Sequence, residues 1–216
     1  MVLGLDSSAS MIATAHEKYS AGNLEYGILD CTRLLQANRE GFHMQGQFNK
    51  VFSNAALHWI LRNEDIRVSV LSDIYECLRP GGLLVFEMGG HGNVAEVVGG
   101  LVSGLIAHGV PSAEARKASP WYFPSIDWMR KTLEGVGFRV EKIETEYRPT
   151  RLTEDEDGGL AGWLRLMGAQ MLEKIEEGRR EEVVKWVCEA LEGVVRREDG
   201  SAWIGYNRLR VVARKG

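Results

Sequence analysis

The sequence has few of the features that mark secreted, membrane-spanning or nucleic-acid-binding chains. Only 3 of its 216 residues are cysteine, and Cys31, Cys77 and Cys188 are scattered and odd in number. No Cys-x-x-Cys pair occurs, so neither a zinc site nor a disulfide framework is indicated, and no metal is expected. A reduced, cytoplasmic setting is the expectation. The formal net charge of -4 leaves no basic stripe, which argues against a nucleic-acid partner. The longest apolar stretch, Val94 to Val110, is interrupted by Gly99, Gly100, Gly104 and His108 and is too short and broken to span a bilayer. No signal peptide is evident either, since the run Val2 to Leu5 ends at Asp6. The acidic runs Glu154 to Asp157 and Glu176-Glu177 read as solvated loop and helix faces.

What is present is enough for one sizeable core: 44% hydrophobic and 26% charged residues, the balance of an ordinary globular domain. Apolar runs at Val2–Leu5, Leu24–Ile28, Phe48–Ser53 and Leu83–Met88 read as strands. Between them, helical spacing appears at Met11, Ile12, Ala15 and Tyr19, with Ser8 as the cap, and again at Ile66, Val70, Ile74, Cys77 and Leu78. The stretch up to Gln47 is read as one short helix and a loop. Arg79-Pro80-Gly81-Gly82 reads as a helix stop and tight turn. Strands alternating with helices predict an α/β fold with a doubly wound, mostly parallel, Rossmann-like sheet. Beyond Met88 the pattern gives a helix over Val94–His108, an aromatic loop Pro120–Pro124 and a helix after Ser125. A strand over Phe138–Tyr147 follows, then helices over about Leu160–Ile175 and Arg180–Val195, and a reversed terminal strand over Tyr206–Ala213. The expectation is a single domain, 1–216, with residues 150–200 as a helical insertion or lid before the last strand.

Ligands in open parallel sheets bind beyond the carboxyl ends of the strands, so the residues there carry the functional argument. Asp6 is placed to accept from a ribose diol, although an aspartate there also suits helix capping. Asp30 could accept from an adenine amino group or be an ordinary turn residue. Asn54 to Trp59 brings an amide, a histidine and an indole off the third strand, and Glu87-Met88-Gly89-Gly90 leaves the fourth.

The order of these pieces carries a resemblance. GLDSSASMIATA, FNKVFSNAALHWI and LRPGGLLVFEM resemble successive motifs of class I S-adenosylmethionine-dependent methyltransferases. WYFPSIDWMRKTLEGVGF, EYRPTRL, GLAGWLRL and DGSAWIGYNRLRVVARK resemble the trans-aconitate methyltransferase branch, so the likeness runs through essentially the whole chain. It implies S-adenosylmethionine as cofactor, with Asp6, Ser7 and Met11 at the nucleoside, Asp30 and Cys31 at the adenine edge, and Asn54 and Ala55 beside the methionine portion. It implies a small carboxylic acid as methyl acceptor, faced by His58 and Trp59. Arg148, Tyr206 and Arg208 are the candidate clamp, because the strands on either side of the insertion bracket the expected pocket mouth, and they could equally be surface cations and an interface tyrosine.

The family pattern has one more element, a strand and glycine-rich turn ahead of Val2, which lies centrally in the sheet between the strands at Val2–Leu5 and Phe48–Ser53. The sequence starts too late to contain it. The expectation is therefore a truncated, impaired enzyme, or a non-catalytic methyltransferase-like interaction partner. A homo-oligomer or a strand-donating partner would answer the resulting open edges.

Overall fold

The computed structural model describes residues 1–36, 44–155 and 158–216. The chain opens with β1 (Val2–Asp6), and α1 (Ala9–Tyr19) follows at once. Ser8 is the N-cap of α1, its hydroxyl accepting from the Met11 backbone N–H at 3.3 Å. β2 (Leu24–Ile28) lies parallel to β1, with Val2 opposite Leu24 and Asp6 opposite Ile28. After β2 a single 3₁₀ turn covers Cys31–Arg33, and the rest of the helix expected before Gln47 falls partly outside the described residues.

β3 (Phe48–Asn54) runs parallel to β4 (Leu78–Gly89), and between them come the short α2 (Leu57–Ile60) and α3 (Arg67–Cys77). Arg79-Pro80-Gly81-Gly82 is not the turn that the sequence implies. The helix passes directly into β4 at Leu78, and the four residues form a bulge: Phe48 pairs with Leu78, yet Lys50 pairs with Leu83. Proline donates no ladder bond and Gly81 takes φ +76°, so such a stretch stays in a strand only by looping out of register.

The second half contributes α4 (Ala95–Ala107), α5 (Ser112–Lys117), α6 (Ile126–Val136), β5 (Phe138–Arg151), α7 (Gly159–Met167), α8 (Ala169–Leu172), α9 (Arg180–Val195) and β6 (Trp203–Lys215). The strands form two sheets, a pair β1-β2 and a four-stranded sheet in the order β3-β4-β6-β5. This corrects the expectation of one sheet holding both Val2–Leu5 and Leu83–Met88. β1 and β3 each stand at an end of their sheet, so among the described residues each has one unpaired edge. β6 is reversed relative to β4, as expected, because Arg210 meets Glu87 while Arg214 meets Gly81.

The described chain divides into two compact units, one of Met1–Glu87, Asp127–Glu144 and Arg210–Gly216, the other of Met88–Ile126 and Thr145–Leu209. In the first, Leu71, Leu78, Leu84, Phe86, Met129 and Leu133 are buried together with Ala213. In the second, α4 meets α9 across Gly100 and Gly104. A Cβ on either glycine would lie 2.9 Å from Leu191 or Val187, so the four-residue spacing of the two glycines lets the helix backbones approach. Among the described residues no helix is long and apolar enough to cross a membrane.

Candidate functional site

In the first unit the carboxyl ends of β1 and β2 bring Asp6, Asp30 and Cys31 together. The Asp6 carbonyl accepts from the Leu29 backbone N–H at 2.9 Å, which extends the ladder one residue and sets Asp30 beside it. Both aspartates are exposed, and both use Oδ1 locally: Asp6 accepts from the Ser8 N–H at 2.8 Å and Asp30 from the Thr32 N–H at 2.9 Å. Asp30 thus has the turn role that the sequence left open, whereas Asp6 makes a local turn into α1 and the cap itself is Ser8. These bonds occupy one oxygen of each carboxylate, and Oδ2 of each makes no hydrogen bond among the described residues. Burial pushes the Cys31 thiol up to about 11, and the negative charges of Asp30 and then Asp6 push the same way, so two anionic side chains act on one sulfur. Ser7 and Met11 sit on the connection and first turn that follow Asp6, with Met11 61% exposed.

A second group follows β3. Asn54 pairs with Glu87 across the ladder, and the Ala55 N–H donates to the Glu87 carbonyl at 2.8 Å. Ala55 has φ +54°, one of two described non-glycine residues in the left-handed region. Such a conformation costs roughly 1 kcal/mol and concentrates where the backbone must be aimed rather than merely connected. Here it turns the chain from β3 into α2, whose residues include His58 and Trp59. His58 is buried, and its ring lies 5.8 Å from that of Trp59. Glu87, at the matching end of β4, accepts from Arg210 Nε at 2.7 Å. Sequence reasoning noticed Glu87 by position but gave it no role.

The remaining predicted residues lie in the second unit. Arg148 is exposed on β5. Tyr206 and Arg208, two apart on β6 and therefore on one face, are in contact: the Arg208 guanidinium sits over the Tyr206 ring, 4.4 Å from its centroid. The Tyr206 oxygen accepts from Trp163 Nε1 at 2.9 Å. Trp163 in turn lies 5.9 Å from Trp121, which stacks on Phe123 at 6.0 Å with 13° between the rings. None of these three aromatics was singled out from the sequence. For Trp121 and Phe123 the available signal was the density of Trp121-Tyr122-Phe123, and for Trp163 there was none, indoles being more often core than ligand wall. A shallow depression lined by Arg165, Ala169, Leu172, Glu173, Arg180 and Glu181 contains none of the predicted residues, and the Arg165–Glu181 ion pair crosses it.

Residues 1–86 match the family model described as a methyltransferase domain. An uncharacterized methyltransferase of Schizosaccharomyces pombe is 36% identical over 214 residues, 99% of this chain and 78% of the relative. A trans-aconitate 2-methyltransferase of Deinococcus radiodurans is 36% identical over 87 residues, covering 40% of this chain and 28% of that enzyme. Among solved structures, a candidate methyltransferase from Bacillus halodurans superimposes with a TM-score of 0.58 at 14% identity, over 99% of this chain and 82% of its own, a likeness of fold. The match over nearly the whole chain, the domain model over residues 1–86 and the shared α/β architecture agree: the chain belongs to the class I S-adenosylmethionine-dependent methyltransferases, a family of enzymes.

Proposed function

We propose that the enzyme methylates an oxygen of a small carboxylic acid. The observation that carries this reading is the Arg208–Tyr206 pair: a guanidinium stacked on a phenol, on one face of β6. Such a pair suits an anionic, oxygen-rich acceptor, and the partial similarity to a trans-aconitate 2-methyltransferase supports the same substrate class. Arg148, on the neighbouring strand β5, is the second cation assigned to the acid.

S-adenosylmethionine supplies a methyl group on a sulfonium, and the protein's part is alignment and exclusion of water. A carboxylate is ionised at neutral pH, so no residue need act as a base on it. The residues at the strand ends fit the nucleoside: Asp6 Oδ2 accepts from ribose hydroxyls and Asp30 from the adenine amino group, with Ser7, Met11 and Cys31 alongside. The family resemblance assigns Asn54 and Ala55 to the methionine portion and His58 and Trp59 to the acceptor.

Calorimetric titration with a tricarboxylate tests the clamp. Arg208→Ala should weaken the acid about ten- to hundredfold, the value of one charge-assisted interaction, while changing S-adenosylmethionine affinity less than about twofold. Equal loss of both ligands, or no loss, overturns the assignment. A second reading, a non-catalytic member that acts through a partner, is favoured by one observation, the division of the strands into two sheets. Methyl transfer by the purified chain to any carboxylic acid would remove it.

A further inference from the structure

The aromatic contacts of the second unit carry an inference that rests on the carboxylate reading above and goes further. We infer that Trp163 is a positioning residue for the acceptor acid, holding Tyr206 as a hydrogen-bond donor toward it. An indole N–H can only donate, so the 2.9 Å contact from Trp163 Nε1 fixes the Tyr206 oxygen as the acceptor in that bond. The phenol's own proton is then directed elsewhere, and one lone pair of its oxygen is already used. With Arg208 over the ring, the two groups address a ligand as a cation and an O–H donor. That pairing favours a carboxylate and disfavours an amide or amine acceptor, whose N–H would compete for an oxygen already engaged.

Trp163 is held well for such a task. It lies on α7 between Leu160 and Leu164, both buried, which fix the helix face. Its ring meets Trp121, itself buried and stacked on Phe123. Phe123 closes on the end of β4, where a Cβ on Gly89 would come within 2.4 Å of its ring. The tyrosine hydroxyl is thus tied, through ring contacts, to the backbone of the last residue of β4. A residue outside the reach of the acid sets the orientation of one that touches it.

The test is a double-mutant cycle on the full chain, using trans-aconitate and its trimethyl ester as probes. Trp163→Phe keeps a ring in place and removes the N–H. It should weaken trans-aconitate about fivefold, the worth of one neutral hydrogen bond. The ester should change less than about twofold. In the Tyr206→Phe background, Trp163→Phe should have no further effect on trans-aconitate. A purely structural role predicts equal loss of acid and ester, and the same loss in both backgrounds; either result overturns the inference. If Arg208→Ala leaves trans-aconitate binding unchanged while the Trp163–Tyr206 coupling persists, the clamp fails and the positioning role stands. Failure of the unmodified chain to bind trans-aconitate overturns both.

Discussion

The pair β1-β2 and the four-stranded sheet are built from similar residues and end in different states. β1 carries Val2, Leu3 and Leu5, yet no residue of β1 or β2 is buried, and Val2 and Ile28 are more than half exposed. In the larger sheet, β4 buries Leu78, Leu84, Phe86 and Met88 to 2% or less, and β6 does the same with Leu209, Val211 and Ala213. Strand formation is local, set by β-branched and apolar side chains and by a cap such as Ser8. Burial depends on the neighbours. An inner strand has a partner on each side, and a two-stranded ladder has one edge per strand and little cover. Fully burying a large apolar side chain is worth ~1.5–3 kcal/mol, so the two sheets differ greatly in what they contribute to stability although their sequences look alike.

The sharpest way to break this comparison is a pair of truncations. Phe86→Ala, deep in β4, should destabilise the protein by about 3–5 kcal/mol, because a ring-sized cavity cannot close in a packed sheet. Leu5→Ala, in half-exposed β1, should cost under about 1.5 kcal/mol. Urea unfolding followed by circular dichroism reads both. Similar losses would mean that β1-β2 is packed as firmly as the sheet.

The same contrast separates what the sequence disclosed from what it withheld. β2 and α9 are legible to the residue, Leu24–Ile28 and Arg180–Val195, because each has a clean period and polar flanks. α5 escapes notice since Ser112–Lys117 is too short to show a period, and α2, at four residues, is absorbed into the loop after β3. Arg79-Pro80-Gly81-Gly82 has the composition of a turn, and only the register against β3 reveals a bulge. At the candidate site, the nearness of Asp6 to Asp30 follows from their places after adjacent strands, and the contact between Tyr206 and Arg208 from their two-residue spacing on one strand. The contact between Trp163 and Tyr206 spans 43 residues, and no local pattern encodes it. Separation of the strands into two sheets is likewise invisible to a strand-by-strand reading.

A second measurement sharpens the comparison at the cofactor. The residues assigned to S-adenosylmethionine divide between the ends of β1-β2 and the end of β3, which belong to different sheets. If no shared ladder fixes their spacing, binding must do so, and the ordering cost is subtracted from affinity. At about 1.4 kcal/mol per tenfold, a few kcal/mol moves a micromolar dissociation constant to about 100 μM or weaker. Calorimetric titration of the monomeric chain should give a value in that weak range. Micromolar binding would show that the two strand ends are already held in place.

The smallest expected effect concerns two neighbouring thiols, close enough that the Cys31 charge helps to raise Cys77. Cys31 follows β2 and is half-buried, whereas Cys77 ends α3 and is 2% exposed. Burial is the main cause that pushes Cys31 up to about 11 and Cys77 up to about 12, each from an ordinary value of 9.0. Only thiolate reacts with iodoacetamide, so in the closed protein at pH 8 both are nearly inert, and modification proceeds through opening. If β1-β2 opens without the rest of the fold, Cys31 should be alkylated about tenfold or more faster than Cys77, as peptide mass analysis would show. Equal rates would mean that the region opens only with global unfolding, and the contrast drawn between the sheets would fail. The pH dependence has a definite sign. A raised thiol value means that the folded state keeps a proton which the unfolded chain has lost, so stability is intact below pH 9 and falls as pH rises, through about 11 for Cys31 and about 12 for Cys77. Cys31→Ser should make the decline between pH 9 and about 11 shallower and leave the part that Cys77 contributes, through about 12.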